Sequence, residues 1–192
     1  MSLRRIDLEQ LPATPWKNGG GSTRQLAIFP ETAGLDDFAW RISCARMERD
    51  GPFSAFPGID RSLALLAGAG LRLHRGSGTI PLQPCTAPLS FAGEEVIEAE
   101  LADRGILDLN LMTRRDGWRH QLQHLHLQGE LVLTDDAPVM LIWCNGGHLD
   151  CRLQDGTRER LEQGQGLLRQ GPPQRLQLTG SACCYLGRIF PA

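Results

Sequence analysis

The chain has 192 residues, enough for one large domain or two small ones, and its hydrophobic fraction of 41% is ordinary for a globular protein. Its 20 basic and 22 acidic residues give a net charge of −2, so electrostatics give no reason to expect nucleic acid or an anionic membrane as a partner. No apolar run is long enough to span a membrane, and the N-terminal residues lack the apolar centre of a signal peptide.

The six cysteines match no zinc-site spacing, and most of them lie in apolar, strand-like segments. This pattern favours buried thiols in a reducing compartment. Together with the missing signal peptide, it predicts a cytoplasmic protein.

Residues 15–29 read P-W-K-N-G-G-G-S-T-R-Q-L-A-I-F, a glycine-rich turn followed by an alternating segment. The single lysine, Lys17, precedes the glycines, whereas a Walker A phosphate loop places its lysine after them. A nucleotide site is therefore disfavoured. The pattern instead favours a tight turn that holds backbone amides, Lys17 and Asn18 close to another group, followed by a strand that includes Thr23.

A second strand is predicted from residue 38 because apolar and polar side chains alternate there. Its apolar face ends with Cys44, and its polar face carries Arg41 and Ser43. We therefore assign Cys44 to the core and not to a reactive site.

A loop over residues 51–58, fixed by proline and glycine, connects this strand to a nearly all-apolar strand over residues 63–67. The loop carries two aromatic side chains, Phe53 and Phe56, and Arg61 follows it. Aromatic and charged groups on such a rigid connection predict a shaped rim and not a slack linker.

Residues 106–115 predict another strand, with leucines on one face and Asp108 and Asn110 on the other. Polar residues opposite a leucine face either line a pocket or face solvent. The spacing alone leaves both alternatives open.

Turn signals recur about every 8–12 residues, and helical signals are scarce, as in all-β sandwiches and barrels. A shift of 78 positions places Gly68 on Gly146, and in both copies a buried strand precedes a glycine turn and a polar hairpin. We predict an all-β fold of two small jelly-roll or barrel halves packed in one chain. The predicted halves are residues 1–115 and 116–192, with exchange of strands between them allowed.

A metal site is considered at His124, His126 and Glu130, which form H-x-H-x-x-x-E, the first part of the cupin metal motif. The expected glycines are out of place or missing, and no late histidine completes the motif. An exposed strand explains the same pattern, so we predict no bound metal and no other cofactor.

Four motifs occur in an order that resembles the HutD/Ves family of bacterial proteins. They are P-W-K-N-G-G-G-S-T-R (15–24), F-A-W-R-I-S-C-A (38–45), D-G-P-F-S-A-F-P-G-I-D-R (50–61) and D-L-N-L-M-T-R-R (108–115). The resemblance is close from Ile6 to about Arg115 and looser afterwards. It implies a bicupin fold and small-molecule-binding regulators of histidine utilisation, with N-formylglutamate, formiminoglutamate or urocanate as suggested ligands. For the Ves branch it implies only a stress-induced protein.

The candidate ligand-binding residues combine cations, neutral hydrogen-bonding groups and aromatic walls, the set that a small dicarboxylate requires. They are Asn18, Thr23, Arg41, Ser43, Phe53, Phe56, Arg61, Asp108 and Asn110. The alternative is that Asp60–Arg61 and Asp108–Arg41 are internal ion pairs that pin the loop to the barrel.

Three functions are kept open. The first is a metal-free bicupin that senses or buffers a small anionic metabolite of histidine breakdown. The second is a cupin enzyme acting on a similar acid, with or without a metal, although no nucleophile motif or histidine–carboxylate pair marks a catalytic site. The third is a stress-induced interaction protein, and a homodimer is a further open alternative.

Overall fold

The computed structural model describes residues 2–76 and 78–192. Within these residues it contains sixteen β-strands and one short 3-10 helix, Leu8–Gln10. The strands are β1 (Ser2–Asp7), β2 (Ala13–Pro15), β3 (Gly21–Phe29), β4 (Trp40–Met47), β5 (Gly51–Pro52), β6 (Ile59–Ala67), β7 (Leu71–Arg75), β8 (Gly78–Leu82), β9 (Leu89–Ala92), β10 (Glu98–Leu101), β11 (Ile106–Arg114), β12 (Trp118–Asp135), β13 (Val139–Leu153), β14 (Arg158–Glu162), β15 (Gln165–Gln170) and β16 (Gln174–Pro191). No helix among these residues is long and apolar enough to cross a membrane.

The chain forms two compact units. The first unit contains residues 11–119 and 191–192, and the second unit contains residues 1–10 and 120–190. The N-terminal strand β1 lies in the second unit because it pairs along its whole length with β15. The division along the chain therefore differs from the predicted halves chiefly at the first ten residues.

The second unit is built on one six-stranded sheet with the order β1-β15-β13-β16-β12, in which β14 also pairs with β13. One face of this sheet carries a cluster of buried apolar side chains, among them Met140, Ile142, Leu149 and Leu178. Each fully buried leucine of this kind contributes about 1.5–3 kcal/mol of transfer free energy.

The first unit contains two sheets. The large sheet has the order β2-β3-β4-β11-β6-β9, and the small sheet has the order β5-β10-β7-β8. Their facing side chains form one core, in which Leu63 and Leu65 of the large sheet meet Leu71 and Leu73 of the small one. This sandwich buries one end of the large sheet's inner face and leaves its other end for polar side chains.

The register of the large sheet sets which side chains share that inner face. Along β4, the pleat directs Arg41 and Ser43 to one side, while Cys44 is buried on the other, as predicted. In the neighbouring strands, Asn110 lies opposite Ser43, and Met112 lies between Arg41 and Arg61. Polar groups from three adjacent strands are therefore brought together by regular pairing, and the pairing of β11 with β6 shifts register only between Leu107 and Asp108.

Four cysteines are buried free thiols. They are Cys44, Cys144, Cys151 and Cys184. In all four, burial in apolar surroundings raises the thiol pKa, which disfavours a reactive thiolate.

Gly21 is the position at which the glycine-rich turn meets the large sheet. A Cβ atom placed there would lie 2.1 Å from the backbone oxygen of Arg46 and 3.0 Å from the ring of Trp16. We expect Gly21→Ala to lower the free energy of unfolding by about 1–3 kcal/mol, because the backbone contact cannot relax without shifting β4. Urea unfolding measures this change.

Gly117→Ala is the matched control, since no heavy atom lies within 4 Å of a Cβ atom at Gly117. Equal destabilisation by the two substitutions would contradict the close packing of the turn.

Candidate ligand-binding cavity

The first unit encloses a cavity of about 650 Å³ at the polar end of the large sheet. Strands β3, β4, β6 and β11 form its floor, and the turn before β3 and the loop after β5 form its walls. All nine residues selected from the sequence line this cavity: Asn18, Thr23, Arg41, Ser43, Phe53, Phe56, Arg61, Asp108 and Asn110.

Arg61 is the most constrained cation in the cavity. It is only 8% exposed, and its Nε donates a hydrogen bond of 2.8 Å to Oδ1 of Asn110. Its guanidinium carbon lies 4.5 Å from the ring centroid of Phe53 and 5.3 Å from that of Phe91, in cation–π geometry. Among residues 2–76 and 78–192, no protein group accepts a hydrogen bond from its two terminal nitrogens.

Burial lowers the pKa of Arg61 to about 10, and the nearby positive charge of Arg41 acts in the same direction. The negative charge of Asp108 opposes this shift. Arg61 therefore remains protonated at neutral pH, as a charge that burial has made costly.

Asp108 is a buried carboxyl group, 2% exposed, that accepts a hydrogen bond of 2.5 Å at Oδ1 from Nδ2 of Asn110. Burial raises its pKa to about 7. The charge of Arg61, the backbone amide of Ala45 and the Asn110 bond all oppose that increase. Asn110 thus bridges Arg61 and Asp108 and uses both ends of its amide.

Arg41 is the second cation of the cavity, and its Nε donates a hydrogen bond of 3.1 Å to Oε1 of Gln25. Burial lowers the pKa of Arg41. Because Arg41 and Arg61 flank Met112 on adjacent strands, their Cα atoms lie about 10 Å apart across the sheet. The floor of the cavity therefore presents two cations, one on each side of β11.

The ion pairs considered as an alternative are not the pairs that form. Asp60 accepts a hydrogen bond of 2.8 Å from Nε of Arg115, which also pairs with Glu94 at 3.0 Å. Arg61 is bound to Asn110 instead, and Arg41 to Gln25. Asp60 does not pair with Arg61, its neighbour in the sequence, because successive residues of a strand point to opposite faces of the sheet.

Aromatic side chains form the walls. Phe53 stacks on Phe91 with ring centroids 6.4 Å apart, and Phe56 packs against Phe38 at 6.3 Å. Trp16 donates a hydrogen bond of 2.8 Å from Nε1 to Oγ1 of Thr23.

Several lining residues were missed by sequence reasoning, among them Trp16, Gln25 and Leu35. Lys17 also lines the cavity; the sequence placed it in the turn close to another group but did not select it for the site. Trp16 adjoins this turn, and Gln25 shares a strand face with Thr23, so the turn and the alternation could have identified both. Leu35 is 54% exposed at the cavity, on a loop whose path no local pattern reveals.

The loop that carries Leu35 is held by Arg114 of β11. This guanidinium donates hydrogen bonds of 3.1 Å to the Phe38 oxygen and 3.0 Å to the Asp36 oxygen.

The metal candidates have separate neighbours. His124 Nε2 lies 3.4 Å from Sγ of Cys183, and Glu130 accepts a hydrogen bond of 2.9 Å from Gln177. Within the described residues, His124, His126 and Glu130 do not form a group whose ligand atoms all lie within 4.8 Å of one another. Their arrangement gives no support to a metal centre built on these three residues.

A second cavity, of about 510 Å³, lies on the second unit and is lined mainly by charged side chains. Arg160 is already neutralised there by Asp150 at 3.8 Å and Glu162 at 2.9 Å. This second cavity has neither aromatic walls nor a buried cation among its lining residues. The cavity of the first unit is therefore the stronger candidate for a ligand-binding site.

The raised pKa of Asp108 predicts a pH-dependent stability. Between pH 3.8, the usual pKa of an aspartate, and about 7, folded Asp108 retains a proton that the unfolded chain releases. Its favourable contribution to the free energy of unfolding is therefore complete below pH 3.8 and is lost as pH rises through about 7. We expect Asp108→Asn to become more stable relative to the unmodified protein by roughly 2–3 kcal/mol between about pH 5 and about pH 8.

Urea unfolding at intervals of pH measures this difference, and Asp150→Asn, at an exposed carboxylate, is the control. A difference in unfolding free energy between the Asp108→Asn variant and the unmodified protein that stays constant with pH would show that Asp108 titrates normally.

Comparison with known proteins identifies relatives along most of the chain. The sequence model of the HutD family matches residues 8–186. Protein Ves of Cronobacter sakazakii is 39% identical over 119 residues, which cover 62% of this chain and 64% of Ves, slightly less than two thirds of its length. An uncharacterized 21.2 kDa protein in the hutC 3' region of Pseudomonas putida is 33% identical over 160 residues, 83% of this chain and 82% of that protein.

Solved structures extend the likeness to the whole fold. A conserved protein from Pseudomonas aeruginosa PAO1 has a TM-score of 0.91 and 31% identity, covering 99% of this chain and 100% of its own. HutD from Pseudomonas fluorescens SBW25 has a TM-score of 0.85 and 26% identity, with 100% of both chains covered.

A cupin 2 barrel-domain protein from Leptotrichia buccalis has a TM-score of 0.64 at 9% identity, covering 98% of this chain and 96% of its own, which shows the fold alone. The predicted all-β bicupin fold is confirmed. The predicted family resemblance is confirmed as well: this chain belongs to the HutD family.

Proposed function

We propose that this HutD-family chain binds a small anionic metabolite in the cavity of its first unit. In this proposal it senses or buffers an acidic intermediate of histidine breakdown, of the N-formylglutamate, formiminoglutamate or urocanate type. The observation that carries the proposal is the buried guanidinium of Arg61, whose terminal nitrogens lack a protein partner among the described residues.

A buried cation whose terminal nitrogens have no hydrogen-bonded counter-ion is expensive, and a carboxylate is the small group that best compensates it. The planar guanidinium can donate two parallel hydrogen bonds to a carboxylate, and such charge-assisted bonds are about twice as strong as neutral ones. Asn110 and Phe53 fix the plane of Arg61. The site is therefore preorganised, and little conformational entropy is lost when the anion binds.

The remaining lining suits the rest of a small polar acid. Ser43, Thr23 and Asn18 offer neutral hydrogen-bonding groups, and Arg41 adds a second positive charge. A volume of about 650 Å³ lies within the range of small-molecule sites, which is about 300–1,000 Å³. The aromatic side chains of Phe53 and Phe56 offer apolar surface to the carbon atoms of such an acid.

The link to histidine breakdown is supported by the relatives and not by the cavity alone. One relative is described by its place in the hutC 3' region of Pseudomonas putida, and a structural neighbour is HutD itself. The structure of that neighbour is described as a formate condition, and formate is the simplest carboxylate.

A thermal-shift screen tests the proposal with N-formylglutamate, formiminoglutamate, urocanate, glutamate and histidine, each with and without chelator. An acid present at ~100 times its dissociation constant should add ~2.7 kcal/mol and raise the melting temperature by roughly 5–10 °C. We expect Arg61→Ala to lose this shift and Arg61→Lys to retain only part of it, because lysine lacks the bidentate fork.

Arg72→Ala is the matched control, since Arg72 pairs with Glu100 in the small sheet and does not line the cavity. An undiminished shift in Arg61→Ala would refute the assignment of the site. A shift that chelator abolishes would favour the metal-dependent enzyme, and no shift with any acid would favour the interaction protein.

A further inference from the structure

We propose that anion binding in this cavity is coupled to the uptake of one proton by Asp108, so that occupancy depends on pH as well as on ligand concentration. The inference rests on the proposed function, because it concerns how the same cavity is regulated. It follows from the hydrogen-bonded chain that joins Arg61 to Asp108.

The chain has two links. Nε of Arg61 donates to Oδ1 of Asn110 at 2.8 Å, and Nδ2 of Asn110 donates to Oδ1 of Asp108 at 2.5 Å. Arg61 and Asp108 are both almost fully buried, at 8% and 2% exposure, so water screens their interaction only weakly. Any change of charge at one end therefore alters the proton affinity at the other.

The charges in the cavity give the direction of the coupling. Without ligand, the positive charge of Arg61 is the strongest of the interactions that favour the ionised form of Asp108 against burial. A carboxylate bound to Arg61 compensates that positive charge and adds a negative charge nearby. Both effects raise the pKa of Asp108, so the carboxyl group takes up a proton when the anion enters.

Among the described residues that line the cavity, the other charged groups are all cations: Arg61 of β6, Arg41 of β4 and Lys17 of the turn before β3. An anion would compensate their positive charges, so none of them opposes this direction. The Cys44 thiol of β4 feels Asp108, but burial raises its pKa well above its usual value, so it remains neutral. Asn110, on the same strand as Asp108, does not titrate.

The hydrogen bonds persist through the change. Oδ1 of Asp108 accepts from Asn110 in either protonation state, because the proton can reside on Oδ2. Arg61 is thus held in place at acidic and alkaline pH alike. The coupling requires a change of charge and no rearrangement of the backbone.

Calorimetry with N-formylglutamate, whose carboxylates stay ionised above about pH 6, tests the proposal. The binding enthalpy is measured at about pH 8 in HEPES and in Tris, two buffers with different ionisation enthalpies and no small free anion that competes for the site. We expect uptake approaching one proton for each ligand bound, and affinity that falls by up to about tenfold per pH unit above neutrality.

Asp108→Asn should bind without proton uptake and with an affinity that no longer changes with pH, because the amide imitates the protonated acid. Asp150→Asn, outside this cavity, should keep the uptake of the unmodified protein. Binding without proton uptake in the unmodified protein would overturn this inference alone. Absence of binding at every pH would overturn it together with the proposed function.

Discussion

Burying the guanidinium of Arg61 imposes the constraint to which the rest of the cavity responds. Desolvation of a cation costs several kcal/mol unless hydrogen bonds and opposite charge compensate it. Asn110, the face of Phe53 and the charge of Asp108 provide part of this compensation. Among the described residues, the two terminal nitrogens of Arg61 have no hydrogen-bond acceptor, and this incomplete compensation is the basis of the proposed function.

Both units are built from antiparallel strand pairs, but the side chains on the buried faces of their sheets differ. In the second unit, one face of the sheet carries an apolar cluster, and the buried guanidinium of Arg169 is paired with the equally buried carboxylate of Asp135. In the first unit, the inner face of the large sheet changes from leucines to polar and charged groups within a few residues of each strand. Leu63 and Leu65 pack in the core, whereas Arg61, on the same strand, lines the cavity. Local departures of this kind from an apolar core are expected at functional sites, where stability is lost to a preorganised charge.

Period-two alternation was enough to predict much of the cavity. It placed Arg41 and Ser43 on one face of β4 and Cys44 on the other. It also placed Asp108 and Asn110 on one face of β11 and the leucines on the other, and the structure has this arrangement. Such predictions succeed because a strand has only two faces. A β-bulge between Gln25 and Ala27 shifts the register of β3 against β4, and no residue pattern indicated it.

Contacts between distant segments were beyond sequence reasoning. Asp60–Arg61 was one of the two ion pairs kept as an alternative to a pocket, but the partner of Asp60 is Arg115, in the turn after β11 and 55 residues later in the chain. Leu35 reaches the cavity because Arg114 holds its loop, and the N-terminal strand joins the second unit through β15. These arrangements depend on tertiary pairing, for which local periodicity carries no information.

The proposed function requires that the terminal nitrogens of Arg61 bind the anion. Side-chain nitrogen NMR of the arginines during titration with N-formylglutamate tests it most directly, with Arg61→Lys used to assign the signals. We expect the terminal nitrogen signals of Arg61 to shift and separate as the carboxylate binds, while its Nε, already bonded to Asn110, changes little. Saturable binding that leaves the Arg61 signals unchanged would show that the anion binds elsewhere.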